Sequence, residues 1–254
     1  MSLYIGSTIA GGYFGRVLAS VFADLWNWQS FYYVIAAGLI LLSLTMSNRA
    51  YQPTVKPQSP LSYLKQLATA PILKLYSAVF CMFFCFAALL NYLPFILQDT
   101  FLITNIRDIG FIYSGYLLGA LASVTTPWLL KHSRSAWHLL CAVFAFYCTT
   151  IILLMSVELI LFLIAFTGFC AAMFMIHSTA APLVNKISMA PASVTNGGYV
   201  SFYYSGGALG SFVPGLVYQQ YGNMAFLTTL LLVCICGFML VLSGYLAGKK
   251  TTFG

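Results

Sequence analysis

Long apolar runs separated by brief polar interruptions make up most of this chain. Stretches such as 153–181 and 226–247 show no polar/apolar alternation, and they run for about the 20 residues a helix needs to cross roughly 30 Å of hydrocarbon. Membrane-barrel strands instead alternate over about ten positions. In hydrocarbon every backbone N–H and C=O must find an internal partner, so unalternated runs of this length read as helices. Charges, prolines and glycines cut the chain into eight predicted spans, near 2–23, 28–47, 71–97, 108–130, 136–156, 158–183, 194–220 and 223–247. The predicted fold class is an all-α polytopic membrane protein.

One longer polar segment, 48–70, holds Pro53, Pro57 and Pro60 with Lys56 and Lys65. It reads as a linker between two spans before it and six after. Within it, 61–68 carries Tyr63 and Leu64 next to Lys65 and Gln66, a pattern suited to a short interfacial helix.

Composition sharpens this picture. Of 254 residues, 61% are hydrophobic and 6% are charged, against about 25% charged in a soluble domain. The net charge of +7 is scattered singly, with no basic stripe for nucleic acid. The seven cysteines all lie in apolar stretches with no metal-site spacing, and they read as small packing residues. No cofactor and no metal site is indicated.

Basic residues set the expected orientation, because short positively charged loops stay in the cytoplasm. Arg49, Lys56, Lys65, Lys74, Lys131, Arg134, Lys186, Lys249 and Lys250 fall at one set of helix ends. The opposite ends hold Arg107 and all four acids, Asp24, Asp99, Asp108 and Glu158. Eight spans with both termini in the cytoplasm of a bacterial inner membrane satisfy this bias. The chain also opens directly into a span, with nothing basic before Arg16, which is the pattern expected if upstream helices are missing.

An internal echo points to a two-fold design. Ser2-Leu3-Tyr4 through Gly11 lies over Ser201-Phe202-Tyr203 through Gly210 with Ser, Tyr and Gly in matching places. Gly12 and Gly15 follow in one copy, and Ser211 and Gly215 in the other. Small residues three and four apart let helix backbones approach closely in lipid, so Gly11, Gly12, Gly15, Gly206, Gly207 and Gly210 are candidate helix-packing glycines.

Leu3-Tyr4-Ile5-Gly6, Gly11-Gly12-Tyr13-Phe14-Gly15-Arg16 and Asp24-Leu25-Trp26-Asn27-Trp28 together resemble the fifth helix and following turn of major facilitator superfamily exporters. The nearest likeness is to the twelve-helix drug and sugar efflux branch, the arabinose-efflux-like permeases. Asn91-Tyr92 resembles that family's seventh helix, Phe174-Met175-Ile176-His177-Ser178 its tenth, and Ser201 to Tyr204 with Gly206, Gly207, Gly210 and Gly215 its eleventh. The resemblance implies helices 5 to 12: two helices of an N-terminal bundle over 1–47, a cytoplasmic linker over 48–70, and a complete six-helix bundle over 71–254. Around Lys131-His132-Ser133-Arg134 the family's acidic signature residue is missing.

Polar residues within the spans supply the site candidates, since an ionisable side chain in a bilayer is costly. Arg16 would hold an anionic group or bridge the two halves, unless it snorkels outward. His177 would carry a proton, unless it is a neutral hydrogen-bonding residue. Asn91, Tyr92, Tyr203 and Tyr204 suit a cavity for a moderately polar organic molecule, and Tyr116, one turn from Tyr113, ranks after them. Packing is the alternative for each tyrosine.

The resulting expectation is a secondary transporter, not an enzyme, exporting a small organic molecule by proton antiport. Its partners would be the lipid bilayer, the small organic substrate, protons, and the missing helices on a separate chain. An inactive remnant or assembly subunit is the alternative reading, and an intramembrane enzyme the remote one, resting on His177-Ser178 alone.

Overall fold

The computed structural model describes residues 2–45 and 60–251. Among these residues every regular element is helical: α1 Ser2–Leu25, α2 Trp28–Thr45, α3 Pro60–Leu67, α4 Ala70–Phe101, α5 Ile106–Ile112, α6 Ser114–Ala122, α7 Thr126–His132, α8 Ala136–Leu153, α9 Leu159–Ile187 and α10 Ala192–Thr251. The protein is an all-α polytopic membrane protein. Six segments of the described residues are long and apolar enough to cross a bilayer. The last, Ala192–Ala247, has 56 residues, or roughly 84 Å of helix, far beyond one crossing. Gly222 folds it into two limbs by taking φ +76°, which a side-chain-bearing residue adopts only with strain. The segment 2–23 is α1, which is long enough at 24 residues but interrupted by Ser7, Thr8, Arg16 and Ser20.

Local chemistry explains several boundaries. Pro60 opens α3 and Pro71 sits in the first turn of α4, where a missing N–H costs nothing. Leu102 turns left-handed to end α4 and donates its N–H to Leu97 O. Asn105 caps α5 by accepting from Arg107 N at 2.9 Å, and Ser135 caps α8 by accepting from His138 N at 3.1 Å. The linker expected over 48–70 lies mostly outside the described residues, apart from α3.

The span predicted over 108–130 is borne out as Ile106–His132, and it is built from α5, α6, a 3-10 turn at Ser123–Thr125, and α7. Pro127 lacks an N–H and crowds the carbonyl one turn upstream, which is where the 3-10 turn sits. Pro94, Pro182 and Pro214 stand inside α4, α9 and α10.

The core lies among α4, α8, α9 and both limbs of α10. Phe144, Tyr147, Phe166, Phe169 and Phe226 are fully buried there. Tyr147 stacks on Phe169 with ring centroids 4.4 Å apart and donates its hydroxyl to Met82 O at 3.1 Å. The first limb of α10, 192–221, runs against α4 with backbones nearly touching. A Cβ on Gly206 would strike the Phe80 carbonyl, and one on Gly210 the Phe84 carbonyl. At the acidic ends, Asp24 of α1 pairs with Arg107 of α5 at 2.8 Å, so α1 is fastened to the later helices. Helix α2 packs on α1 and buries none of its residues.

Candidate functional site

A cavity of about 380 Å³ opens between α1, α4 and the first limb of α10. Helix α4 contributes Phe83, Phe86, Ala87, Leu90 and Asn91, and α10 contributes Tyr204, Gly207, Ala208 and Ser211. Both sets follow three- and four-residue spacing, so each is one helix face turned inward. Arg16 enters from α1.

Among the described residues, Arg16 is the only charged group on the cavity wall. Its Nη1 donates to Gly12 O at 2.9 Å, one turn back on its own helix. Its guanidinium lies 5.4 Å from the Tyr113 ring centroid and 5.9 Å from that of Tyr116. Placing an arginine at mid-helix in a membrane costs about 2.5–3.5 kcal/mol on insertion scales. Two aromatic faces return about 0.5–2 kcal/mol each. The rings therefore make the guanidinium tolerable without cancelling its charge. Among the described residues, which include all four acids, no carboxylate forms an ion pair with Arg16. Asp24, two turns along α1, is taken by Arg107, and Asp99 accepts from the Tyr218 hydroxyl at 2.7 Å.

Across the cavity, Asn91 Nδ2 donates to Ser211 Oγ at 2.7 Å, and Ser211 Oγ donates to Gly207 O at 2.8 Å. This bond ties the polar face of α4 to that of α10. Tyr204 stands on the wall, 57% exposed. Tyr116 lies behind Arg16, edge-on to Phe174 at 5.1 Å and 6.0 Å from Phe86.

His177 and Tyr203 form a second layer. His177 Nδ1 shares a hydrogen bond with the Tyr199 hydroxyl at 2.9 Å. Its ring also lies 5.3 Å from Tyr203, which stacks on Phe83 at 3.6 Å. A continuous aromatic column thus runs from His177 to a ring that lines the cavity.

Tyr92 is elsewhere. One residue on from Asn91 it faces about 100° away, against Tyr218 at 5.6 Å and Phe226 at 5.3 Å, with its hydroxyl pressed to Gly215. The glycines divide too. Gly206, Gly207 and Gly210 meet α4, and Gly12 meets the Tyr116 hydroxyl. Among the described residues nothing lies within 4 Å of a Cβ built on Gly11 or Gly15, so neither glycine packs against one of the described helices. The echo between the two stretches therefore does not extend to how their glycines are used.

Phe83, Phe86 and Tyr199 were missed by sequence reasoning, and Ser211 was noted only as a small residue. Counting back from Asn91 by four reaches Ala87 and Phe83, and counting on from Tyr204 by seven reaches Ser211. That periodicity was the available signal, but it needed Asn91 and Tyr204 to be known to face the same space.

A model of the Major Facilitator Superfamily matches residues 1–213. The chain belongs to that superfamily. It is similar to an uncharacterized transporter of Buchnera aphidicola subsp. Schizaphis graminum (strain Sg), 24% identical over 220 residues that cover 82% of this chain and 52% of that protein. It is also similar to an uncharacterized transporter of Buchnera aphidicola subsp. Baizongia pistaciae (strain Bp), 24% identical over 245 residues, 92% of this chain and 60% of that protein. The chain thus spans 52% and 60% of the length of these curated relatives. In this major facilitator chain, Arg16 and the Asn91–Ser211 pair approach one cavity from either side of segment 48–70.

Proposed function

We propose that this chain forms one face of the translocation site of a secondary transporter, which exports a small organic molecule by alternating access in exchange for protons. The observation that carries the reading is the division of the cavity. Arg16 comes from the two helices before the 48–70 segment, and Asn91, Tyr204 and Ser211 come from the helices after it. A site shared between two helical units is what rocking one against the other would open to alternate sides. The basic helix ends face the cytoplasm of an inner membrane in this reading, and the Asp24–Arg107 end faces outward. His177, hydrogen-bonded to the Tyr199 hydroxyl, is the proton carrier.

The enzyme reading loses its one hint. His177 and Ser178 point to different faces of α9, and the histidine's bond goes to Tyr199.

Because the chain spans about half the length of its relatives, we expect slow solute efflux when it alone is placed in vesicles. That residual flux should disappear in Asn91→Ala and Tyr204→Ala. Rapid proton-coupled efflux by this polypeptide would overturn the one-face arrangement. Flux indifferent to both substitutions would overturn the cavity as the site.

A further inference from the structure

The charge inventory around the cavity carries a more specific conclusion, which rests on the transporter reading above. We propose that this cavity selects organic anions: molecules with a single oxyanion head, carboxylate or sulfonate, on a flat apolar body.

Arg16 supplies the selectivity. Its guanidinium is one full positive charge on a wall whose other members are neutral. No carboxylate of the described residues pairs with it, and the acid nearest in its own helix, Asp24, is held by Arg107. The guanidinium carbon lies over the Tyr113 and Tyr116 rings, 5.4 and 5.9 Å from their centroids, and the Arg16 side chain also hydrogen-bonds Tyr113. Of the guanidinium's five N–H donors, one goes to Gly12 O and one to Tyr113, which leaves the others for a ligand in the cavity that Arg16 lines. The planar fork of a guanidinium matches the two oxygens of a carboxylate or sulfonate. Low-dielectric walls strengthen the attraction and concentrate an anion at the charge.

Phe83 and Phe86 offer ring surface for an apolar body, and the Asn91–Ser211 pair offers neutral hydrogen-bonding groups. A cationic amphiphile of the same shape meets the arginine with no acid to offset it. The site accordingly discriminates by charge before it discriminates by shape.

The test is isothermal titration of the purified full chain in dodecyl maltoside with four ligands of one skeleton: 2-naphthoate, 2-naphthalenesulfonate, 2-naphthamide and 2-naphthylmethylammonium. Both anions should bind at least about tenfold tighter than the amide, the factor expected of a charge-assisted pair, and the ammonium should not saturate. Arg16→Gln should bring the anions to the affinity of the amide, and Arg16→Lys should keep the anion preference. Preference for one anion over the other identifies the head group. Amide binding equal to the anions, saturable binding of the ammonium, or no saturable anion binding overturns the proposal in the unaltered protein, whether or not the variants fold. Anion preference that survives Arg16→Gln overturns it too. Transport is a separate readout. Arg16-dependent binding of naphthoate that is never moved across a bilayer keeps this inference and removes the transporter reading. Movement of a cationic or neutral solute that is indifferent to Arg16→Gln does the reverse.

Discussion

Replacing Gly210 with alanine tests the packing that holds the cavity's two main walls together. Gly206 and Gly210 are one turn apart on α10, and they face Phe80 and Phe84, one turn apart on α4. At Gly210 the obstacles to a new methyl are the Phe84 carbonyl oxygen, with Phe84 Cα at 2.7 Å and carbonyl carbon at 2.8 Å. All are main-chain atoms, so no rotamer change relieves the clash and the helices must separate. Lipid supplies no hydrophobic drive to close the gap again, because helix association there depends on close packing. A radial gap of about 0.5–1 Å forfeits a quarter to a half of each contact's attraction. Overpacking typically costs about 1–3 kcal/mol, and a backbone clash belongs at the top of that range. For a chain of this size that is a fall in melting temperature of roughly 5–10 °C.

The assay is thermal melting of the full chain in detergent, followed by fluorescence-detected size exclusion. Gly11→Ala is the matched control, with nothing among the described residues within 4 Å of the new Cβ and no expected loss. At Gly207 the new Cβ would lie 2.5 Å from the Phe83 ring edge, a side chain. Gly207→Ala should therefore be partly rescued by Phe83→Leu, whereas trimming the Phe84 side chain should not rescue Gly210→Ala. The reasoning fails if Gly210→Ala melts within about 1 °C of the parent protein, or if Gly11→Ala falls as far.

Three further outcomes are expected. Tyr147→Phe removes a buried hydroxyl that donates to Met82 O at 3.1 Å, and it should cost about 1 kcal/mol in the same melting assay; no change would mean that bond is not formed. Arg107→Ala breaks a pair whose side chains are 46% and 37% exposed, so its effect should stay under about 1 kcal/mol, and a larger loss would mean α1 depends on the pair for docking. His177→Gln should abolish solute-driven proton flux in proteoliposomes while leaving naphthoate affinity unchanged, and proton flux that persists assigns the carrier elsewhere.

Residue pattern alone was enough for much of the architecture, because in lipid the backbone has few alternatives to helix and the run lengths match a bilayer. The predicted spans 194–220 and 223–247 also bracket the kink at Gly222, and the pattern singled out Arg16, Asn91 and Tyr204 as polar groups in apolar surroundings. Neighbouring helices decided everything that depends on direction. Asn91 and Tyr92 are adjacent and equally polar on paper, yet one faces the cavity and the other Gly215, since a single residue rotates the side chain by about 100°. Gly11 and Gly210 occupy matching places in similar stretches, but only Gly210 has a backbone against it. Arg16 stands out in any hydropathy plot. That its guanidinium lies over two tyrosine rings, while the acid nearest in its own helix is spent on Arg107, follows only from how α1 docks on α5 and α6. Periodicity fixes which residues share a helix face, but the identity of what that face meets is a property of the other helices.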